Sequence, residues 1–438
     1  GMQPFEILLS ESQERMLIVV EKGRGEDVKR IFEKWDLHAE TIGEVLDEDR
    51  LHISYQGREV ADVPADSLVL GGGAPVYIRE AREPEYLKRA REFDPGNLPI
   101  PEDLNEVLLE LLSSASIASK RWVYEQYDSM VRTNNVLLSD ADAAVVWIKG
   151  TRKALALKTD CNSRYVYLNP RCGGMIAVAE AARNVVCTGA TPLAITNCLN
   201  FGNPYKPEIY WQFKEAVAGI GEACRALNTP VTGGNVSFYN ESPTASVYPT
   251  PVIGMLGLIE DISKAVGASF KNGGDAIILF GKTRGHVGGS EYLAMIHGHV
   301  GGDAPPIDME YEKRLQSACG EAIDKRLVSS AHDCSEGGIA IALAESCFPR
   351  KIGATVGIGP TTDRIDFQYF GEDQSRIILS CPSDNLEHVL EIAELHRIDS
   401  EVIGFVGGTN LRIGERINVA VEELHKAYYE CIPKRMDR

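Results

Sequence analysis

Leu9-Ser-Glu-Ser-Gln-Glu-Arg-Met-Leu-Ile-Val19 has a near-copy far down the chain, Phe370-Gly-Glu-Asp-Gln-Ser-Arg-Ile-Ile-Leu-Ser380. Glutamate, glutamine and arginine recur at the same spacing in both segments. At an equal distance after each glutamine comes a glycine in similar surroundings, within Ile42-Gly-Glu-Val45 and Ile403-Gly-Phe-Val406. Because no gap is needed to align these segments, the pattern indicates an internal duplication rather than chance similarity.

The two copies are unequal. About 290 residues of the second copy precede its repeated segment, whereas only ten residues precede Glu11 in the first copy. We therefore expect that the chain lacks an upstream half of about 300 residues. The expected domains are the tail of a first-copy C-terminal α/β domain, a linker with an amphipathic helix, a second-copy N-terminal domain and a second-copy C-terminal α/β domain: 1–82, 83–126, 127–262 and 263–438.

Composition restricts the class of protein. The 438 residues carry 45 basic and 63 acidic side chains, a net charge of −18, which argues against nucleic acid or an anionic membrane as the main partner. No apolar run is long enough for a membrane span. Ten cysteines are scattered without any Cys-x-x-Cys pair, as is typical of reduced core residues in a cytoplasmic protein.

Periodicity predicts mixed α/β domains, the central one with an open, mostly antiparallel sheet. Residues 5–20 are expected to form two strands around a polar segment, followed by a helix over 25–35. A short strand is expected at 166–168. Helices are expected over 175–187, which is almost free of charge, and over 213–227, where apolar residues recur at helical spacing.

One glycine-containing stretch, Thr229-Pro-Val-Thr-Gly-Gly-Asn-Val-Ser-Phe-Tyr-Asn-Glu-Ser242, has strand-like flanks. Two glycines let a backbone approach a ligand closely, so the stretch is either a loop that contacts phosphate or ribose, or an ordinary tight bend. No Gly-Lys-Ser/Thr follows, which excludes a Walker A loop.

Three further places have both a functional and a structural interpretation. Asp160 ends a predicted strand, where it is a metal-binding carboxylate or a solvated turn residue. Asn197 lies in an asparagine-rich segment that suits a nucleotide contact or asparagine-driven turns. Glu11, Ser12 and Gln13 lie between two apolar runs, where they meet a ligand or form an edge turn.

Together these segments resemble one family. The quoted Leu9 and Gly233-Gly-Asn-Val-Ser-Phe-Tyr-Asn240 segments, with Thr159-Asp-Cys-Asn-Ser-Arg-Tyr165, Ala179-Glu-Ala-Ala-Arg-Asn184, Leu199-Asn-Phe-Gly-Asn-Pro204 and Gly288-Gly-Ser-Glu-Tyr292, are similar to phosphoribosylformylglycinamidine synthase. The likeness is to its small, bacterial-type synthetase subunit, in the aminoimidazole ribonucleotide synthetase superfamily. That family is a tandem duplication, as the internal repeat also indicates.

The resemblance implies a C–N ligase that takes glutamine as amide donor in purine biosynthesis. ATP phosphorylates the amide oxygen of formylglycinamide ribonucleotide, and ammonia from a glutaminase subunit displaces the phosphate. A small bridging subunit completes the complex. Phosphate is a far better leaving group than an amide oxygen, and Mg²⁺ neutralises charge on the transferring phosphoryl group.

Carried over residue by residue, the resemblance gives these roles to this chain: Glu11, Ser12, Gln13 and Ser237 contact the ribonucleotide, Asn197 and Gly234 contact ATP, and Asn235 holds Mg²⁺. Many relatives have aspartate where this chain has Asn197, so that contact loses its charge. The catalytic residues are expected in the upstream half. Asp160 is expected at an auxiliary nucleotide and metal site without turnover.

Two alternatives belong to other classes: a non-catalytic nucleotide-binding scaffold half, and another superfamily enzyme such as a selenophosphate synthetase or a small-molecule kinase. The duplication and Glu11-Ser-Gln13 disfavour the last. With its sheet partner absent, the central domain would expose a sheet face or edge, so a homodimer through residues 131–260 is also expected.

Overall fold

The computed structural model describes residues 1–11, 14–69, 71–127, 130–137 and 141–437. Internal contacts divide the chain into two compact units, Gly1–Ile78 and Arg79–Arg438. Within the described ranges, strands form sheets of two, six and seven strands. The two-stranded sheet lies in the first unit, and the second unit contains the other two.

The first unit consists of two helices and a hairpin: α1 (Pro4–Leu9), α2 (Gly25–Glu33), β1 (Arg50–Tyr55) and β2 (Arg58–Pro64). The expected helix over 25–35 is confirmed. The first of the two strands expected within 5–20 is wrong, because α1 forms there. Pro4 occupies the first helical position, and the Gln3 N–H donates to the Glu6 carboxylate at 2.7 Å. Both features favour a helix start.

Three helices open the second unit: α3 (Tyr86–Glu92), α4 (Leu104–Leu112) and α5 (Arg121–Tyr124). The apolar stripe of α4 is buried, as its helical spacing predicted. Asp103 is the N-cap of this helix, and its side chain accepts a hydrogen bond from the Asn105 N–H. It then packs on the core of the C-terminal part of the unit.

The central part of the second unit is a sheet with helices on one face. Its elements are β3 (Asn135–Leu137), β4 (Ala144–Trp147), β5 (Ala154–Asp160), α6 (Ser163–Leu168), α7 (Pro170–Cys187), β6 (Thr191–Asn200), α8 (Pro207–Leu227), β7 (Val231–Ser237) and β8 (Thr250–Ile259). The strand order is β3-β4-β5-β8-β6-β7, and among these neighbours β6 and β7 run parallel. The mostly antiparallel sheet was therefore predicted correctly.

The strand expected at 166–168 is wrong, because α6 covers it. The Asn162 side chain accepts hydrogen bonds from the Arg164 and Tyr165 N–H groups and so caps the helix. α7 follows at once and crosses α8 closely. A Cβ on Gly174 would lie 2.5 Å from the Ala216 carbonyl oxygen, so glycine is required there.

Within the described part of the second unit, no helix packs on the other face of this sheet. Along β8, side chains alternate between buried and half-buried, and the buried ones face α7 and α8. Cross-strand pairing assigns a set of apolar side chains to the uncovered face. We call it the open face: Val146, Leu155, Leu157, Ala194, Leu256 and Leu258. Leu157 is 45% exposed.

The C-terminal part is a sheet with helices on both faces. Its strands are β9 (Ala276–Phe280), β10 (Ser330–Asp333), β11 (Ala354–Val356), β12 (Ile377–Cys381), β13 (Ser400–Val406), β14 (Asn410–Ile413) and β15 (Ile417–Ala420), in the order β10-β12-β9-β13-β11-β14-β15. Its helices are α9 (Glu291–Ile296), α10 (Met309–Asp324), α11 (Gly338–Cys347), α12 (Ile365–Phe370), α13 (Leu386–Leu395) and α14 (Val421–Met436). Alternate residues of β9 therefore enter two different apolar clusters.

The second strand expected within 5–20 is also wrong, and the repeat explains why. Its counterpart β12 lies between β9 and β10, and Ile377 and Ile378 are fully buried there. In the described first unit the strands are limited to β1 and β2. Met16 and Leu17 are consequently 83% and 79% exposed. The segment has strand propensity but no neighbouring strand to pair with.

Arg183 on α7 allows a direct test of what joins the sheets of the second unit. Arg183→Ala should lower the free energy of unfolding by about 3–5 kcal/mol, because fully buried Glu312 and Asp333 lose their cationic partner. Arg171→Ala on the same helix should cost about 0–1 kcal/mol, since its partners Glu215 and Glu222 are partly exposed. Urea denaturation measures both. Equal losses of unfolding free energy in the two variants would contradict the role of Arg183 in joining the two sheets.

Candidate functional site

The stretch expected to be a ligand-contacting loop is largely a strand. Val231–Ser237 forms β7 at the edge of the six-stranded sheet, parallel to β6. The register places Gly234 beside Asn197, Asn235 beside Cys198, and Ser237 beside Asn200. The two positions predicted to contact ATP, which lie 37 residues apart (234 − 197), are thus brought together.

Gly234 owes its identity to this close approach. Its φ is +153°, and an added Cβ would lie 2.1 Å from the Asn197 Oδ1 atom. A Cβ added to the neighbouring Gly233 would have no other atom within 4 Å. Of the two glycines, Gly234 alone therefore meets a steric requirement, and any group bound there would contact backbone as well as the Asn197 amide.

Asn235 and Ser237 project to the opposite side of the sheet from Asn197. Asn197 pairs with Ile253, which is buried on the helix-covered side. Asn235 and Ser237 pair with Cys198 and Asn200, which lie one and three residues after Asn197 and therefore on the other side of the sheet. Asn235 is exposed and Ser237 is half-buried. The Ser237 hydroxyl donates to Asn240 Oδ1 at 3.3 Å, and Asn240 Nδ2 donates to the Ser237 carbonyl at 2.7 Å. The geometry therefore offers one amide and one oriented hydroxyl on the uncovered side.

Asp160 lies in the same cross-strand row as Asn197. It ends β5, pairs with Ile253 of β8, and Ile253 in turn pairs with Asn197 of β6. Three strand spacings, about 14 Å, separate Asp160 from Gly234 along this row. The two predicted nucleotide sites are therefore at different ends of one row and do not merge.

A cluster of carboxylates surrounds Asp160. Desolvation raises the pKa of Asp160 to about 7, with Lys158 opposing the rise and Glu336 and Asp333 adding to it. Desolvation also raises the pKa of Glu180 on α7 well above its usual range, with Asp160 next in importance. The pKa of Asp333 is raised for the same first reason. Negative charge here exceeds the positive charge that the protein supplies.

Arg183 is the main internal counter-charge. Its Nε donates to the Asp333 carboxylate, Nη1 donates to Glu312 Oε2 at 3.0 Å, and Nη2 donates to Gln374 Oε1 at 3.2 Å. Asn184 Nδ2 donates to the remaining Asp333 oxygen at 3.1 Å. These contacts satisfy Asp333 and leave Asp160 without a direct ion pair among the contacts that the structure describes.

Sequence reasoning missed Glu180, Arg183 and Asp333 as members of this cluster. The available signal was a pair of charges in the otherwise apolar helix over 175–187, because buried charges need partners. Gly337 is the N-cap of α11, and its N–H donates to Glu372 Oε1 at 2.7 Å. A carboxylate of the chain thus occupies the anion position at this helix start.

No three His, Cys, Asp or Glu side chains in the described ranges converge closely enough to hold a metal ion by themselves. Asn235 and Asp160 do present oxygen atoms, the ligand type that Mg²⁺ prefers. A cation at either place would need further oxygens, such as those of a bound phosphate.

The remaining predicted residues lie in the first unit. Glu11 follows Ser10, the C-cap of α1, and is exposed. Ser12 and Gln13 fall outside the described residues. None of the helices in the described part of the chain combines the length and apolar character that a membrane span requires.

Two family models match the chain. The N-terminal domain of AIR synthase related proteins matches residues 140–259, and the C-terminal domain of the same proteins matches 1–56 and 272–414. The repeated C-terminal match agrees with the internal duplication.

Curated relatives match over the whole length. Phosphoribosylformylglycinamidine synthase subunit PurL of Moorella thermoacetica is 50% identical over 442 residues, covering 100% of this chain and 60% of that protein. The same subunit of Chlorobium luteolum is 51% identical over 451 residues, covering 99% and 58%. The chain thus spans about three fifths of the length of these relatives.

Solved structures share the fold. Thermotoga maritima PurL complexed with FGAR aligns with a TM-score of 0.61 and 20% identity, covering 75% of this chain and 54% of that one. The same protein complexed with ATP gives 0.57 and 21%, covering 75% and 55%. The two family models, which together match most of the chain, show that it belongs to the AIR synthase related family, and the curated relatives named above are PurL synthetase subunits.

Proposed function

We propose that this chain serves in the ATP-dependent amidation of formylglycinamide ribonucleotide in purine biosynthesis, the reaction for which its relatives are named. The observation that carries the proposal is about 50% identity over the entire chain. Ammonia would come from a glutaminase subunit, and a small bridging subunit would complete the complex. A solved Thermotoga maritima structure is named PurLQS, which supports a multi-subunit assembly. The compartment proposed is the cytoplasm, which suits ten free thiols.

The proposed roles follow the motifs. Asn197 and Gly234 would bind ATP at the β6–β7 edge, and Ser237 would contact the ribonucleotide. In the first unit, the same ligand is proposed for Glu11, Ser12 and Gln13. Support comes from the direct approach of Gly234 to Asn197 and from the orientation of Ser237 by Asn240. Asn235 would hold Mg²⁺, which supplies charge neutralisation on the transferring phosphoryl group.

The domain limits proposed are 1–82, 83–126, 127–262 and 263–438. They are supported by the family-model matches, which fall within the first, third and fourth of these ranges. The boundary between the two units, at Ile78 and Arg79, lies close to the first limit.

Activity tests the proposed role of Asn235. In the full-length enzyme with ammonium as nitrogen donor, Asn235→Ala should lower kcat about a hundredfold by removing a metal-binding oxygen, and the loss should shrink at raised Mg²⁺. Asn235→Asp, which keeps the oxygen, should retain most activity. ADP release that requires the ribonucleotide is the measurement. If Asn235→Ala lowers the melting temperature while turnover per folded molecule is unchanged, the residue is structural.

The Asp160 cluster favours a second, compatible function, an auxiliary nucleotide site without turnover. Desolvation raises the pKa values of Asp160, Glu180 and Asp333, and the charges of Asp160 and Asp333 raise that of Glu180 further, so a divalent cation carrying a nucleotide would offset the buried negative charge. Lys158 lies beside Asp160 and could neutralise a phosphate. Such a site would make this part of the chain a nucleotide-binding scaffold.

Calorimetry on the chain alone tests this site. Mg²⁺–ATP should bind, binding should disappear with EDTA, and Asp160→Asn should weaken it at least about tenfold through loss of a charged ligand. Asp384→Asn, at an exposed aspartate of the same unit, is the matched control and should bind normally. Equal affinity of Asp160→Asn and the unmodified chain would refute the site.

The open face supports the proposal that this chain dimerises with a second copy of itself. Six apolar side chains line it, and β3 and β7 leave both sheet edges unpaired among the described strands. A large apolar face without a cover favours association. A second copy is the occupant proposed because its open face is equally apolar.

Light scattering tests the dimer. The chain of 48.0 kDa should elute at twice that mass. Leu157→Lys should give monomers, because it would bury a charge in the interface. Leu395→Lys, at a 71%-exposed leucine on α13 outside the open face, should remain dimeric. A single-chain mass for the unmodified protein in dilute buffer would rule out this dimer.

A further inference from the structure

The two copies of the repeated element end their helices at equivalent positions. With the offset of 361 residues between Glu11 and Glu372 (372 − 11), α1 and α12 begin and end at matching residues. Each is followed by an extended C-cap, Ser10 with φ −71° and ψ 131°, and Gly371 with φ −68° and ψ 137°. The backbone therefore turns out of the helix in the same way in both units.

The match continues beyond the glutamine. Glu14 has a φ of +64° and its counterpart Ser375 a φ of +60°. Neither residue is glycine, so each copy accepts a left-handed conformation that L residues usually avoid. A costly backbone geometry that recurs at one position of a duplication is part of how the turn is built.

An arginine closes the turn in both copies. Arg15 Nη2 donates to the Ser10 carbonyl oxygen at 2.9 Å, and Arg376 Nη2 donates to the equivalent Gly371 carbonyl oxygen at 2.7 Å. Arg376 also donates through Nε to the Asp373 carbonyl at 3.1 Å. A charged planar donor thus satisfies the helix-end carbonyl that the turn leaves unpaired.

The second copy shows what this turn does with the residues it encloses. Glu372 Oε1 accepts from the Glu291 and Gly337 N–H groups at 2.8 and 2.7 Å. Asp373 accepts from the N–H groups of 284, 285 and 286. Gln374 accepts from Arg183. The turn therefore directs three consecutive side chains to three separate sets of hydrogen-bond donors.

We propose that Arg15 is a positioning residue for the ribonucleotide: its guanidinium fixes the Ser10 carbonyl at the end of α1, immediately ahead of the residues assigned to the ligand. This inference rests on the proposed function, which assigns Glu11, Ser12 and Gln13 to the ribonucleotide. A loop fixed before binding loses less entropy when the ligand arrives. The arginine acts through the loop and touches no reacting atom.

The test uses steady-state kinetics of the full-length enzyme with ammonium. Arg15→Ala should raise KM for formylglycinamide ribonucleotide about tenfold to a hundredfold, with KM for ATP and the melting temperature unchanged. Arg15→Lys keeps one donor for the Ser10 carbonyl and should give a smaller rise. Arg24→Ala, at an exposed arginine that pairs with Asp27, should leave all constants unchanged. An unchanged KM for the ribonucleotide in Arg15→Ala overturns the proposal.

Glu14 gives an independent measurement. Glu14→Gly accepts the left-handed conformation and should preserve KM for the ribonucleotide, whereas Glu14→Val disfavours that conformation and should raise it. Equal KM values for these two variants overturn the proposed turn geometry.

Gln13→Ala separates this inference from the function beneath it. A raised KM in Gln13→Ala together with normal kinetics in Arg15→Ala overturns the positioning role and leaves the substrate assignment standing. Normal kinetics in both variants overturn both.

Discussion

The buried guanidinium of Arg183 is the interaction on which the second unit depends. It extends from α7, which covers the six-stranded sheet, to Asp333 at the end of β10 and to Glu312 on α10. Burying a full charge is costly unless it is paired on several sides, and here three partners occupy separate guanidinium nitrogens. The relative placement of the two sheets is therefore fixed by charge as well as by apolar packing.

The same charged cluster explains why the candidate auxiliary site lies next to the Arg183 contacts that connect the two sheets. Arg183 and Lys158 cannot neutralise the four carboxylates of Asp160, Glu180, Asp333 and Glu336. The surplus negative charge therefore lies at Asp160, at the end of β5. A site for a cation with a phosphate needs such a surplus in a desolvated place. Structural pairing and ligand binding thus draw on one set of side chains.

The sequence predicted what short-range periodicity controls. Helices α4 and α8, the mostly antiparallel central sheet and the end of β5 at Asp160 follow from spacing of apolar residues and from strand length. What failed depends on neighbours: Met16 and Leu17 have strand propensity without a partner strand, and Asn162 diverts 166–168 into a helix. The Asn197–Gly234 contact arises from the register of β6 against β7, and no local pattern encodes register between distant strands.

The internally satisfied turn after α12 resists conversion into a ligand site. Its Glu372, Asp373 and Gln374 already accept hydrogen bonds from main-chain amides and from Arg183. A binding role there would require several amide donors to be released at once, each leaving a buried group unpaired. Single substitutions in this copy would therefore cost stability without opening a place for a ligand.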